Sequence, residues 1–241
     1  MQILKDIYLL YGNAYGNIAN LYVIRTEKGL ILIDTADRIE DLKVLRQQLS
    51  YWKLDNLPFT HVFITHNHFN HIGNAHLLRE TGAKIIAGYE DASAIESGDV
   101  MTIDDFAPFP VRRYIPCKVD ILVRDGDEVQ ANGLTFHCIH TPGHTRGSMV
   151  YALELNGKKI LFTGDMLNIG KCCASADVGW EGGLNHDRQT CFSSLLKLAS
   201  VPCDVILPAH FQAALVNAQG LLEQAICAAI NKWKSPMICK E

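Results

Sequence analysis

Four short apolar runs in this chain each end on a histidine or an aspartate, and that placement constrains the fold more than any other feature. His66, His68, Asn70 and His71 follow "VFIT", His144 follows "LTFHCIHTPG", Asp165 follows "ILFTG" and His210 follows "VILPA". Runs this short and this rich in Val, Ile, Leu and Phe read as strands. Residues just past the C-terminal ends of such strands collect on one edge of a sheet. Five histidines and one aspartate placed in this way predict a metal centre. Neutral imidazoles and a carboxylate suit zinc or iron, and a catalytic site keeps one coordination position open. Six protein ligands are too many for one tetrahedral zinc and about right for two metals sharing a carboxylate.

The remaining chain supplies the scaffold. "DIYLLYG", "NIANLYVIRT" and "GLILIDT" read as strands broken by tight turns. "DRIEDLKVLRQQLS" then switches to helical spacing, with Ile39, Leu42, Leu45 and Leu49 recurring and Asp37 and Glu40 set three apart like a capping box. "NAHLLRETG" reads as a short helix stopped by Gly82, and "AKIIAG" as a buried strand. Asn132-Gly133 and Asn156-Gly157 each lie between apolar runs, a hairpin signal. A helix with Phe192, Leu195, Leu196 and Ala199 on one face follows, then a last strand. The closing helix carries a stripe of Leu222, Ala225, Ile226, Ala229, Ile230 and Trp233. Residues 89–118 break the pattern with three prolines, acids and Arg112-Arg113, and read as an insertion over the surface, helical at its start. Residues 1–241 are expected to form a single domain of two β-rich halves with helices outside.

Composition narrows the function classes. A net charge of −4 argues against a phosphate-backbone binder, so no nucleic-acid partner is expected. No apolar stretch approaches the ~20 residues of a membrane span, and the N-terminus lacks a signal-peptide pattern. The expected location is the cytoplasm. Eight scattered cysteines without a C-x-x-C pair suggest reduced thiols, with Cys138 packing as a small hydrophobe.

"THNHFNH", "HTPGHTRGS", "FTGD" and "LPAH", in that order, resemble the metallo-β-lactamase superfamily, and with Asp34 in "LILIDT" the resemblance covers nearly the whole chain. It implies an α/β fold, a four-layer αββα sandwich. It implies two Zn²⁺, or Fe as the alternative, with His66, His68 and His144 on the first metal, His71 and His210 on the second, and Asp165 bridging. Asp165, where the lactamases carry cysteine, points to the glyoxalase II, lactonase and phosphodiesterase branches. The implied activity is hydrolysis of a small-molecule ester, thioester or lactone.

The chain departs from the family at Asn70, where the usual H-x-H-x-D-H motif has aspartate. Asn keeps the shape and an oxygen but loses the charge and the ability to take a proton. The second metal is expected to bind more weakly, and general acid or base work at this position is lost. The residue fits either a natural departure or an isosteric Asp→Asn replacement that silences an enzyme. Other readings stay open: a phosphodiesterase or nuclease, an iron-dependent sulfur dioxygenase using His66, His144 and Asp165, and a non-catalytic metal-bearing binding protein. Only about 30 residues follow His210, roughly one long helix, whereas glyoxalase II enzymes carry a further helical region, so strict glyoxalase II is not expected. His186 reads as a substrate contact or a helix start, and Arg112, Arg113 and Tyr114 as anion-recognising groups or a solvated loop. Asp34 is expected to support the ligands from behind. The closing helix suits its own domain or a second copy in a dimer.

Overall fold

Most strands here are apolar on both faces, which forces each sheet to be covered on both sides. In a computed structural model describing residues 1–12, 19–98, 114–183 and 185–234, β5 (Phe59–Ile64) turns Val62 and Ile64 to one core and Phe63 to another. β11 (Lys158–Gly164) sends Ile160 and Phe162 one way and Leu161 the other. Period-2 geometry thus divides the interior into three apolar layers.

The first sheet has the order β1 (Gln2–Leu4), β2 (Ile7–Tyr11), β3 (Leu21–Thr26), β4 (Gly29–Ile33), β5, β6 (Lys84–Gly88) and β7 (Ile121–Val123), antiparallel up to β4 and parallel from there. The second has the order β14 (Val205–Pro208), β11, β10 (Met149–Leu155), β9 (Leu134–His140) and β8 (Glu128–Ala131). The central layer between them stacks Phe63 on Phe136, ring centroids 4.2 Å apart, with Tyr151 edge-on at 5.0 Å. Outside the first sheet lie α1 (Ile39–Tyr51), α2 (Phe69–Ile72), α3 (Ala75–Glu80) and α4 (Tyr89–Ser97). Outside the second lie α5 (Arg188–Ala199) and α6 (Ala218–Lys234), with a small ribbon of β12 (Leu167–Ile169) and β13 (Ala176–Val178). This is the αββα sandwich.

The hairpins turn where the Asn-Gly pairs predict, with positive φ at Asn132, Gly133, Asn156 and Gly157. Two details of the sequence reading need correction. The cap of α1 uses Asp41 rather than Glu40: its Oδ2 accepts the N–H of Arg38 at 2.7 Å and of Asp37 at 3.2 Å. The buried face of α5 runs through Cys191, Ser194, Leu195 and Leu198, whereas Leu196 is 49 % exposed, because the row that packs into the outer core of the second sheet is offset by one residue from the most apolar row. The closing helix covers its own sheet, with Leu221, Leu222, Ala225 and Ala229 fully buried. The described cysteines are all free, and Cys138 is buried in the central layer.

Candidate metal centre

Parallel pairing brings the candidate residues together. β4 and β5 run side by side, so Asp34 and the His66 loop emerge at one edge. β11 and β14 do the same for Asp165 and His210. The loop after β9 adds His144. Cross-links hold the two edges in register: Met149 N–H donates to Thr65 O at 2.8 Å, Tyr151 Oη to Ile64 O at 2.7 Å and Tyr22 Oη to Pro208 O at 2.8 Å.

Two sets of ligand atoms result, each within 4.8 Å of one another: His66, His68, His144 and Asp165, then His71, Asp165 and His210. In the first, His68 Nδ1 lies 3.0 Å from both His66 Nε2 and His144 Nε2, and these two are 3.2 Å apart. Asp165 Oδ2 stands 3.4 Å from His144 Nε2 and 3.9 Å from His66 Nε2. In the second, Asp165 Oδ1 stands 3.2 Å from His210 Nε2 and 3.5 Å from His71 Nε2.

The outward nitrogens decide the tautomers. His144 Nδ1 faces Trp180 O at 2.9 Å, and a carbonyl only accepts, so this nitrogen carries the proton and Nε2 offers its lone pair. His71 Nδ1 faces Asp34 Oδ2 at 2.9 Å with the same consequence. Thr65 Oγ1 donates to Asp34 at 2.9 Å and so accepts from His66 Nδ1 at 3.1 Å. Asp34, 1 % exposed and at positive φ, also accepts the Thr65 N–H at 2.8 Å. It stands behind His71 and outside both ligand sets.

Convergent lone pairs repel one another unless a cation sits among them. Asp165 Oδ1 is buried with no aligned hydrogen-bond donor, and the outer Nε2 of His68 is buried with no hydrogen-bond partner. Burial, reinforced by neighbouring imidazoles, drives His66 and His68 well below the ordinary histidine range. Burial likewise lowers His144 to about 4. For Asp165 burial acts upward, but His210, His71 and His66 outweigh it and hold the carboxyl well below its usual range. Neutral imidazoles around an ionised carboxylate are the protonation states metal ligation requires, so the residues fit a metal at the first set.

The other expected residues are spread more widely. Arg112 and Arg113 lie outside the described residues. Tyr114 Oη donates to Ala94 O of α4 at 3.1 Å, and its ring packs on the outer core of the first sheet. His186 belongs to neither ligand set; it lines a 400 Å³ cavity with Pro142, Gly143 and Thr190, behind the His144 turn. Its neighbour Asp187 is the helix start, accepting Thr190 N–H at 2.7 Å. The sequence gives no notice of Asp91, which from the first turn of α4 accepts hydrogen bonds from Asn67, Thr145 and Gly147 beside the histidine ligands. Trp180 had a faint signal, an aromatic among glycines. Its ring lies 5.8 Å from that of His68 and 6.1 Å from that of His144. It walls a 640 Å³ cavity together with Phe211, Ile169, Val178, Arg188 and Lys232. Arg188 and Lys232 both pair with Glu181, which also accepts from Trp233 Nε1 at 2.9 Å.

An αββα sandwich carrying two histidine sets joined by one aspartate at the sheet edges defines a class of metal-binding protein. Comparison with known proteins agrees. The metallo-beta-lactamase superfamily description matches residues 14–210, and the chain belongs to that superfamily. A hydroxyacylglutathione hydrolase of Pseudomonas putida is 31 % identical over 112 residues, 46 % of this chain and 34 % of that protein. An atrochrysone carboxyl ACP thioesterase of Aspergillus fumigatus is 26 % identical over 191 residues, 79 % of this chain and 37 % of that protein. The chain therefore spans little more than a third of these curated relatives' lengths. The subclass B3 metallo-beta-lactamase BJP-1 of Bradyrhizobium japonicum shares the fold at a TM-score of 0.74 and 20 % identity, covering 98 % of this chain and 93 % of that one. Among the described residues no helix is long and apolar enough to cross a membrane.

Proposed function

We propose that this chain is a metal-dependent hydrolase of a small-molecule ester, thioester or lactone. The observation that carries the reading is Asp165, a buried carboxylate facing ligand nitrogens of both sets, with one oxygen toward each. Metal ions held there, zinc or iron by donor type, would supply a Lewis acid and an activated water. The chain's own residues do the rest. His66 and His144 present lone pairs in orientations fixed by Thr65 and Trp180, and His68 turns Nδ1 toward both. Asp34 aligns His71. The cavity beside Trp180 and Phe211 offers an apolar wall for the substrate's body next to the centre. The hydrolase and thioesterase named among the relatives support an acyl substrate. With an amide at position 70, no proton transfer is assigned to that side chain.

The test pairs metal content with turnover. Plasma mass spectrometry of protein purified without added metal is expected to find zinc at one equivalent or more, and that protein should cleave members of an ester, thioester and lactone panel. One equivalent of iron with oxygen uptake would replace the hydrolase by a dioxygenase. No metal even after soaking would overturn the reading.

A further inference from the structure

The two ligand sets meet different neighbours. In the first, the ring nitrogens that converge face one another and Asp165. In the second, the side chain of Asn70 intrudes: its amide Nδ2 lies 2.9 Å from His71 Nε2 and 3.4 Å from His210 Nε2. The orientation of that amide follows from hydrogen-bond chemistry. Asp34 accepts a hydrogen bond from the Nδ1–H of His71, so Nε2 presents a lone pair. A carbonyl oxygen turned toward it would set lone pair against lone pair, whereas the amide nitrogen brings a donor. An amide nitrogen has no lone pair to offer a metal. Asn70 in this orientation is therefore a competitor for the His71 lone pair, which is more than the loss of a negative charge.

We infer that this chain holds one metal ion tightly at His66, His68, His144 and Asp165, and that the Asn70 amide, donating to His71 and standing 3.4 Å from His210 Nε2, makes the second set a conditional site. Loading it requires the amide N–H to withdraw from His71. The inference rests on the proposal that these sets bind metal, and its mechanism gives substitutions at Asn70 a distinctive sign. If the amide competes, deleting it helps the second metal. If its oxygen is a ligand, deleting it hurts.

The test is a titration of the metal-stripped 241-residue chain with cobalt(II) alone, read by equilibrium dialysis and by the cobalt absorption bands. The unmodified chain should bind one equivalent tightly and the second at least about tenfold more weakly, tenfold being the scale of one or two net hydrogen bonds. Asn70→Ala should tighten the second equivalent by roughly tenfold and leave the first unchanged. Two equivalents of equal affinity in the unmodified chain would overturn the inference, and need no variant. A weaker second equivalent in Asn70→Ala would also overturn it, since the oxygen would then be a ligand. Asn70→Asp, with an anionic donor and no N–H, should load both sets. If neither the unmodified chain nor Asn70→Asp takes up cobalt at all, the metal reading itself fails, an outcome distinct from the other two.

Discussion

Asp91 sits in the first turn of α4, 3 % exposed, and ties together the two loops that carry the three histidines of the first ligand set. Its Oδ2 accepts the N–H of Asn67, between His66 and His68, at 3.0 Å, and the hydroxyl of Thr145, next to His144, at 2.7 Å. Its Oδ1 accepts the N–H of Gly147 at 2.7 Å. The packing is close: a Cβ on Gly147 would stand 2.3 Å from the Asp91 nitrogen. Asn in place of Asp91 keeps the shape but must turn its NH₂ toward one of these donors. The cheaper choice sacrifices Gly147, losing a bond to a charged group worth about 1.5–3 kcal/mol and leaving a buried N–H unpaired. Removing a buried charge returns part of that, because burial already pushes the Asp91 carboxyl upward. The net expectation is about 2–4 kcal/mol, or roughly 5–15 °C in a chain of this size. Because the loops also position ligands, the first metal equivalent should weaken by about 10–100-fold. Thermal unfolding and cobalt dialysis of Asp91→Asn would measure both. A melting temperature within a degree of the unmodified chain, with unchanged cobalt affinity, would refute the tie.

Asp34→Asn should weaken the second metal equivalent by about 10–100-fold through His71 and spare the first, as read by the same cobalt titration. The metal-stripped protein should lose stability as the pH falls from about 6.5 toward 4. His66, His68 and His144 resist protonation when folded, His144 down to about 4, while the unfolded chain takes up those protons earlier. Melting temperatures across that window in the presence of chelator would check this, and a flat profile would count against it.

What could be read from the sequence was whatever local pattern dictates. Strand ends at Ile64, Gly164 and Pro208, and the Asn-Gly turns, follow from short-range apolar periodicity and backbone preference, so the histidines and Asp165 fell on one edge without any knowledge of contacts. The helix details slipped for the same local reason. Glu40 and Asp41 are both suited to reach back to the chain entering α1, and only the actual backbone path selects Asp41. The face α5 buries likewise depends on how it packs against the second sheet. Asp91 was invisible because its meaning lies in donors 24, 54 and 56 residues away, two of them backbone N–H groups that no side-chain pattern announces. Asn70 was legible as a departure from a family motif, but which of its two amide atoms faces His71 follows only once Asp34 is seen behind the ring.

The charge balance of the centre leads to a final expectation. Asp165 is buried and held ionised, and two of the imidazoles it faces, His66 and His144, are kept neutral by burial. A buried anion among neutral ligands costs stability unless a cation joins it. Bound metal should therefore stabilise the folded chain strongly, by RT ln(1 + [L]/Kd), about 4 kcal/mol at a thousandfold excess over Kd. At roughly 2–4 °C per kcal/mol for a chain of this length, zinc-loaded protein should melt about 8–16 °C above the same protein in chelator. Asp165→Asn should shrink that gap, because the amide supplies neither the charge nor an oxygen for each set. If loaded and chelated protein melt within a degree of each other, the lone pairs gathered around Asp165 are not a metal site, and the centre must balance its charge in another way.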